Sequence, residues 1–297
     1  MRVLLVADDP EARSDFVAGW HDRRPETDLS HAPGSELSPD QLPALWRVGS
    51  QLDVPGDDTR REPLSSTAPL VPDVIDLLTA AESHDVTVVA GLTVMHDGGQ
   101  GVFTALDLDE RETLKRVAPR MTIGAVDHAP LLGLHSRSAQ LATTGAVSHD
   151  DAQRHDAAIG EFVAEVSRKF GSSPRIARLE GSGTAGGVAF LLAAAGARLV
   201  TFPTAIAEHY GWSDLVQDAD LTIVLTDESD PTALLSGWAA TLGGYSMESG
   251  TPLALVGNVT GLPRRHLASI GVSDYYVRAE RSYREVGRAL AATWIRA

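Results

Sequence analysis

The chain has 297 residues, 43% of them hydrophobic, which is enough to bury a substantial core, and it carries a formal net charge of −15 at pH 7. This acidic balance argues against nucleic acid and anionic membranes as partners, because either would need a dense patch of Lys and Arg. No apolar run reaches the roughly eighteen residues that cross a bilayer, and the absence of cysteine excludes disulfides, thiolate metal sites and cysteine nucleophiles, so we expect a cytoplasmic protein.

Short aliphatic runs alternate with helical patterns along most of the chain. The predicted strands are residues 2–7, 86–90, 121–126, 221–225, 252–257 and 274–278. These runs are almost continuously apolar, which is typical of strands buried on both faces of a parallel sheet. The predicted helices, with apolar residues at three- and four-residue spacing, are 71–81, 150–170, 185–195, 231–247 and 282–295. The alternation predicts an α/β fold with a flavodoxin- or Rossmann-like parallel sheet flanked by helices.

One segment, at about residues 21–70, breaks this alternation. It is rich in Pro, Asp, Arg, Ser and Gly. Loops of this length are uncommon inside compact domains. We therefore predict a single α/β domain over residues 1–297, with a long irregular excursion at about 21–70.

A first glycine-rich loop follows the predicted strand 86–90 and contains Asp97, Gly98, Gly99 and Gly101. Successive backbone N–H groups at a strand-to-helix junction form a pocket that accepts phosphate or carboxylate. A tight turn in which the glycines supply positive φ explains the same residues and is the commoner use of glycine. These four residues are candidates for binding a substrate or a phosphate.

A second glycine-rich loop opens an apolar helix and supplies Gly181, Ser182, Gly183 and Thr184 as further candidates for substrate or phosphate binding. The loop also matches G-x-G-x-x-G, which raises a nicotinamide-binding oxidoreductase as a weaker alternative. That interpretation needs a buried strand before the loop and a carboxylate after the next strand, and the sequence pattern shows neither. Close packing of the helix is the alternative role for the last two glycines of the loop.

Four segments in the same order resemble the bacterial glycerate kinase family. Residues 91–101 resemble, in their second half, the family's G-S-A-T-N-D-G-G-x-G segment, and residues 126–133 resemble D-V-D-N-P-L-L-G. Residues 148–150 are similar to the helix cap that follows in the family. Residues 181–187 and 196–200 are similar to its G-A-G-A-A-G-G and G-A-x-L-V segments. The chain is therefore identified as a member of this family.

The resemblance implies an ATP-dependent kinase that phosphorylates D-glycerate with Mg²⁺, on a flavodoxin-like domain that carries a second α/β domain. It indicates Asp127 and Asp9 as candidate catalytic residues. Glu228 and Asp230 follow the predicted strand 221–225 and are candidate metal ligands, because Mg²⁺ takes carboxylate ligands. A turn that caps the next helix is the alternative role for these two acids.

Several family positions are replaced in this sequence. Ala12 stands where the family has a lysine, Val126 and His128 align with family acids, and Trp238 stands where a second lysine would be. The segments expected to build the second domain are also short, which predicts that this domain is reduced or absent. A phosphoryl transfer site has to exclude water and clamp both substrates, so a reduced site would transfer phosphate poorly.

We therefore predict a glycerate kinase-like protein with weak or lost phosphotransferase activity and a retained pocket for a small anionic metabolite or a nucleotide. An active ATP-dependent glycerate kinase is the alternative, in which Arg13, Asp127, Glu228 or Asp230 compensates for the replaced residues. ATP and Mg²⁺ are expected as cofactors only in that alternative. The sequence leaves open the oligomeric state, any protein partner and the identity of the ligand.

Overall fold

The computed structural model describes residues 1–7, 9–33, 46–48, 64–93, 95–226, 234, 237–258 and 263–294. The described strands are β1 Arg2–Ala7, β2 Asp28–His31, β3 Trp46–Val48, β4 Val86–Ala90, β5 Met121–Ala125, β6 Arg198–Thr201, β7 Leu221–Leu225, β8 Leu253–Gly257 and β9 Asp274–Val277. The described α-helices are α1 Pro10–His21, α2 Val71–Ser83, α3 Gln100–Ala105, α4 Leu108–Val117, α5 Arg137–Thr143, α6 His149–Phe170, α7 Val188–Ala194, α8 Phe202–His209, α9 Trp212–Asp218, α10 Trp238–Ser249, α11 Arg264–Ser269 and α12 Tyr283–Thr293. The predicted α/β fold with parallel strands and flanking helices is confirmed.

The chain divides into two compact units, and the first comprises Met1–Gln41 and Ile206–Ala297. Its parallel sheet has the strand order β2-β1-β7-β8-β9. Every residue of β7 is buried, as expected for a central strand with both faces covered. The core of this unit joins β1 to helices α1 and α12 through Phe16, Trp20 and Leu290.

The second unit comprises Leu42–Ala205, and its parallel sheet has the strand order β3-β4-β5-β6. At its centre, Val88 of β4 pairs with Ile123 of β5, and both side chains are fully buried. Helix α7 is buried at all of its positions, which explains why its sequence is apolar on every face. This helix begins directly after the second glycine-rich loop, so the loop is fixed against the core.

Helix ends in both units follow local sequence signals. The Ser148 hydroxyl accepts a hydrogen bond from the Asp151 N–H at 3.0 Å and caps α6, which ends at Gly171 in the left-handed conformation (φ 71°). Ser282 and Glu285 form a reciprocal capping box at the start of α12. Such caps explain why the predicted helices at 150–170 and 282–295 lie close to the observed ones.

The division into two units differs from the predicted single domain with a reduced second domain. The apolar runs identified the buried strands, but an apolar run does not specify which strand it pairs with, so one sheet was expected where the chain forms two. The strands β2, β3 and β6 were not predicted, because each contains at most two consecutive apolar residues. The edge strand β9 was predicted, because three apolar residues follow one another in its sequence, DYYV.

The segment at 21–70, predicted to be an irregular excursion, contributes a strand to each sheet. It contains β2 and β3, together with a short 3₁₀ turn at Ala68–Leu70. β3 pairs in parallel with β4, with Trp46 opposite Val88. Residues 34–45 and 49–63 lie outside the described residues.

Candidate functional site

The second unit contains a small pocket at the carboxyl ends of β4 and β5. It is lined by residues from the segments 91–93, 95–96 and 183–186, together with Asp127 and Arg137, and has an empty volume of about 210 Å³. Ligands of open parallel α/β sheets bind outside the carboxyl ends of the strands. This position makes the pocket the candidate functional site.

The two glycine-rich loops pack against each other through their backbones beside this pocket. A Cβ atom on Gly187 would lie 2.4 Å from the Gly98 Cα, and one on Gly186 would lie 2.6 Å from the Met95 carbonyl oxygen. Ala185, Gly186 and Gly187 all have positive φ, at 52°, 68° and 97°. The last two glycines therefore serve close packing, which was the alternative role that the sequence indicated for them.

Asp97 organises the first glycine-rich loop from within. Its carboxylate accepts hydrogen bonds from the N–H groups of Gly99 at 3.0 Å and Gly101 at 2.9 Å. It also accepts hydrogen bonds from the Thr67 N–H at 2.9 Å and from the Thr67 hydroxyl at 2.7 Å. The amides of Gly99 and Gly101, predicted to bind a phosphate, are therefore already paired with a carboxylate of the chain itself, and a bound phosphate would have to displace it.

Ser182, another predicted phosphate-binding residue, is fully buried and holds the second loop in place. Its hydroxyl donates a hydrogen bond to the Leu179 carbonyl at 2.7 Å and accepts one from the Leu131 N–H at 2.9 Å. The N–H of Gly181 donates to the His128 carbonyl at 3.2 Å. These contacts fasten the loop to the segment after β5.

Gly183 and Thr184 contact the same segment but also line the pocket. The Gly183 N–H donates to the Ala129 carbonyl at 3.0 Å, and the Thr184 hydroxyl donates to the Asp127 carbonyl at 3.2 Å. The structure thus brings Gly183, Thr184 and Asp127 together around one pocket.

Asp127 faces Arg137 across the pocket. The Asp127 carboxylate lies 3.6 Å from the Arg137 guanidinium, and its other oxygen accepts a hydrogen bond from the Ala129 N–H at 3.1 Å. Arg137 is the first residue of α5, which Ser136 caps. Among the described residues that line the pocket, Arg137 is the one permanent cation. The sequence did not point to Arg137, because this residue lies outside every motif.

His96 is the second residue of the pocket that the sequence did not single out. Its side chain is 1% exposed, and both ring nitrogens lack a hydrogen-bond partner among the described residues. Burial, followed by electrostatic interactions with His155 and Arg137, lowers the pKa of His96 to about 3. The imidazole is therefore neutral near pH 7, with one donor and one acceptor nitrogen unmet.

The remaining predicted site residues either do not line this pocket or lie outside the described residues. Asp9 belongs to the first unit, where its carboxylate caps α1 by accepting a hydrogen bond from the Glu11 N–H at 2.8 Å. The predicted metal ligands Glu228 and Asp230 lie outside the described residues. Within the described part of the chain, no group of three or more His, Cys, Asp or Glu residues is arranged to hold a metal ion.

The nicotinamide alternative lacks its structural context. The segment before the second loop, Pro174–Arg178, is a 3₁₀ helix and not a strand. A dinucleotide fingerprint requires its glycines to lie between a buried strand and a helix. This loop therefore matches G-x-G-x-x-G because of glycines that serve close packing, and not because it binds a dinucleotide.

No helix in the described ranges is both long enough and apolar enough to span a membrane.

No curated protein matches the chain. Its fold is similar to the crystal structure of "putative glycerate kinase 2" from Salmonella typhimurium LT2, with a TM-score of 0.66, 16% sequence identity, and coverage of 99% of this chain and 98% of that chain. A family model, the glycerate kinase family, matches residues 107–291, which is more than half of the chain. The chain belongs to the glycerate kinase family.

Proposed function

We propose that this member of the glycerate kinase family binds a small anionic metabolite in the pocket of its second unit and transfers phosphate weakly or not at all. The observation that carries the proposal is the lining of the pocket, in which the described residues offer one permanent cation, Arg137, and one carboxylate, Asp127. Because Asp97 already pairs with the amides of Gly99 and Gly101, the binding of an anion depends on Arg137.

Arg137 is suited to bind an anion because its contact with Asp127 is long, at 3.6 Å, and leaves guanidinium donors available to a ligand. The pocket is much smaller than the sites that take drug-sized ligands. A small carboxylate therefore suits the pocket better than a nucleotide does.

Phosphoryl transfer from ATP needs several cations around the phosphates. Both lysines of the chain lie on helices outside the pocket lining, Lys115 on α4 and Lys169 on α6. The described residues around the pocket offer a single carboxylate, Asp127, and it already faces Arg137. By themselves these residues do not fit a Mg²⁺ site, which supports the weak or lost activity.

The alternative is an active ATP-dependent kinase of D-glycerate. One observation favours it: the likeness to the Salmonella typhimurium crystal structure covers 98% of that chain. In this alternative Asp127 would act on the substrate hydroxyl, and Glu228 and Asp230 would hold Mg²⁺. We extend the main proposal to a cytoplasmic location, which the absence of cysteine supports.

The two candidate functions are separated by measuring binding and turnover on the same protein. A ligand that binds only the native state raises its apparent stability, so D-glycerate should raise the melting temperature, and Arg137→Gln should abolish that shift. Arg175→Gln, which removes an exposed arginine of the same unit, is the matched control and should keep the shift.

In a coupled assay with ATP, Mg²⁺ and D-glycerate, we expect no release of ADP above background. Steady turnover that Asp127→Asn abolishes would refute the main proposal and establish the alternative. If D-glycerate produces no melting shift and no turnover is seen, neither candidate function stands.

A further inference from the structure

The imidazole of His96 is an exception to the pairing of buried polar groups. Nearly all such groups in proteins have hydrogen-bond partners, and an exception needs a physical explanation. His96 is 1% exposed, lines the pocket, and has no partner for either ring nitrogen among the described residues. Its polar atoms are therefore held unpaired beside a site that can accept a ligand.

The surrounding backbone holds this side chain in place. The His96 N–H donates to the Ser65 carbonyl at 3.0 Å, and the His96 carbonyl accepts a hydrogen bond from His155 Nε2 at 2.5 Å. The next residue, Asp97, is anchored by the hydrogen bonds to Thr67, Gly99 and Gly101. The backbone on both sides of His96 is therefore anchored, and the buried ring has to turn about its side-chain bonds to contact a ligand in the pocket.

The charges around the pocket limit the class of ligand. The charges of Asp127 and Arg137 offset each other, and His96 stays neutral because burial, followed by electrostatic interactions with His155 and Arg137, lowers its pKa. A monoanion would add one negative charge to this neutral lining, whereas a phosphate dianion would add two in a small, partly desolvated space. The lining therefore favours a carboxylate over a phosphate dianion.

We propose that His96 is a direct ligand of the bound anion, and that its ring N–H and the Arg137 guanidinium donate hydrogen bonds to the same small carboxylate. This inference rests on the proposed function, because it assumes that an anion enters this pocket. It adds to that function the contact that satisfies the buried ring and the preference for a carboxylate.

The experiment uses the full chain with ¹⁵N-labelled histidine and follows the ring nitrogens by NMR during titrations with D-glycerate and with inorganic phosphate. The ring signals of His96 are assigned from the His96→Gln variant. D-glycerate should shift them with the same Kd that calorimetry gives, and phosphate should bind at least tenfold more weakly. A purely structural histidine would show no such shift.

Two substitutions test the hydrogen bond itself. His96→Leu removes the donor and should weaken D-glycerate binding roughly 10- to 100-fold, which is the usual effect of losing a hydrogen bond to a charged group. His96→Gln keeps an N–H donor and should retain part of the affinity. His149→Gln, at the exposed start of α6, is the matched control and should bind as the wild type does.

The outcomes distinguish this inference from the proposed function. If D-glycerate binds and Arg137→Gln abolishes binding, but the His96 signals do not move and His96→Leu binds normally, the inference is wrong and the proposed function stands. If phosphate binds as tightly as D-glycerate, the preference for a carboxylate is wrong. If neither anion binds, the proposed function fails and the inference fails with it.

Discussion

The buried imidazole of His96 should make the stability of the fold sensitive to acid. A histidine in an unfolded chain has a pKa of about 6.5, whereas burial, followed by electrostatic interactions with His155 and Arg137, lowers the pKa of His96 to about 3 in the folded protein. Between these two values the unfolded state binds one proton more than the folded state does. Stability is then complete above the unfolded pKa and falls as the pH decreases toward the folded pKa.

The magnitude follows from the linkage slope of about 1.4 kcal/mol per pH unit for one proton. Between about pH 7 and about pH 5, the free energy of unfolding should fall by about 2 kcal/mol through His96 alone. Other groups titrate in the same range, so the quantity to measure is the difference between the wild type and His96→Gln, in which those groups are unchanged.

Urea denaturation at both pH values gives the four free energies of unfolding that this comparison needs. The buffers should contain no carboxylate, because acetate is itself a small anion that the pocket could bind. We expect the wild type to lose about 2 kcal/mol more than the variant on acidification. Equal losses would mean that His96 titrates near its ordinary pKa, and the reasoning on its buried, unpaired state would be refuted.

Two further predictions concern the loops around the pocket. Asp97→Asn replaces a carboxylate that accepts four hydrogen bonds with an amide that also carries donors. In urea denaturation, this substitution should lower the free energy of unfolding by about 3 kcal/mol. A loss below about 1 kcal/mol would contradict the role of Asp97 in holding the loop. Gly187→Ala places a Cβ atom 2.4 Å from the Gly98 Cα at a φ of 97°, and it should lower the free energy of unfolding by more than about 2 kcal/mol. Gly160→Ala, in α6 with open space around the new Cβ, should raise it by about 0.5–1 kcal/mol. Equal effects at the two glycines would contradict the packing of the loops.

The sequence predicted the strands and helices that bury apolar residues, and it did not predict how the strands divide into sheets. β1, β4, β5, β7 and β8 are almost continuously apolar, and such runs can be recognised locally. The pairing of β1 with β7, by contrast, joins residues more than two hundred positions apart, such as Val3 and Leu221. Local patterns carry no information on such contacts, so one domain was predicted where the chain forms two units.

The sequence also identified only some of the residues of the candidate site. The sequence indicated the glycine loops and Asp127, because glycine patterns and the family resemblance are visible in the chain. It did not indicate that Asp97 would use the loop amides itself, since this depends partly on Thr67, thirty positions away. It also passed over His96, although a histidine directly before Asp97 was a local signal that could have been followed.

The extent of the fold likeness changes how the replaced family residues are interpreted. A missing half would by itself explain a weak kinase, but the fold likeness spans 98% of the Salmonella typhimurium chain. The proposed loss of activity therefore depends on the side chains that replace family residues. Ala12 is 5% exposed in α1, and the Trp238 ring lies 5.1 Å from the ring of Trp212, so both positions serve packing in the first unit. A lysine introduced at either position would disturb apolar contacts before it could present its charge, so a single reversion should lower stability without restoring phosphate transfer.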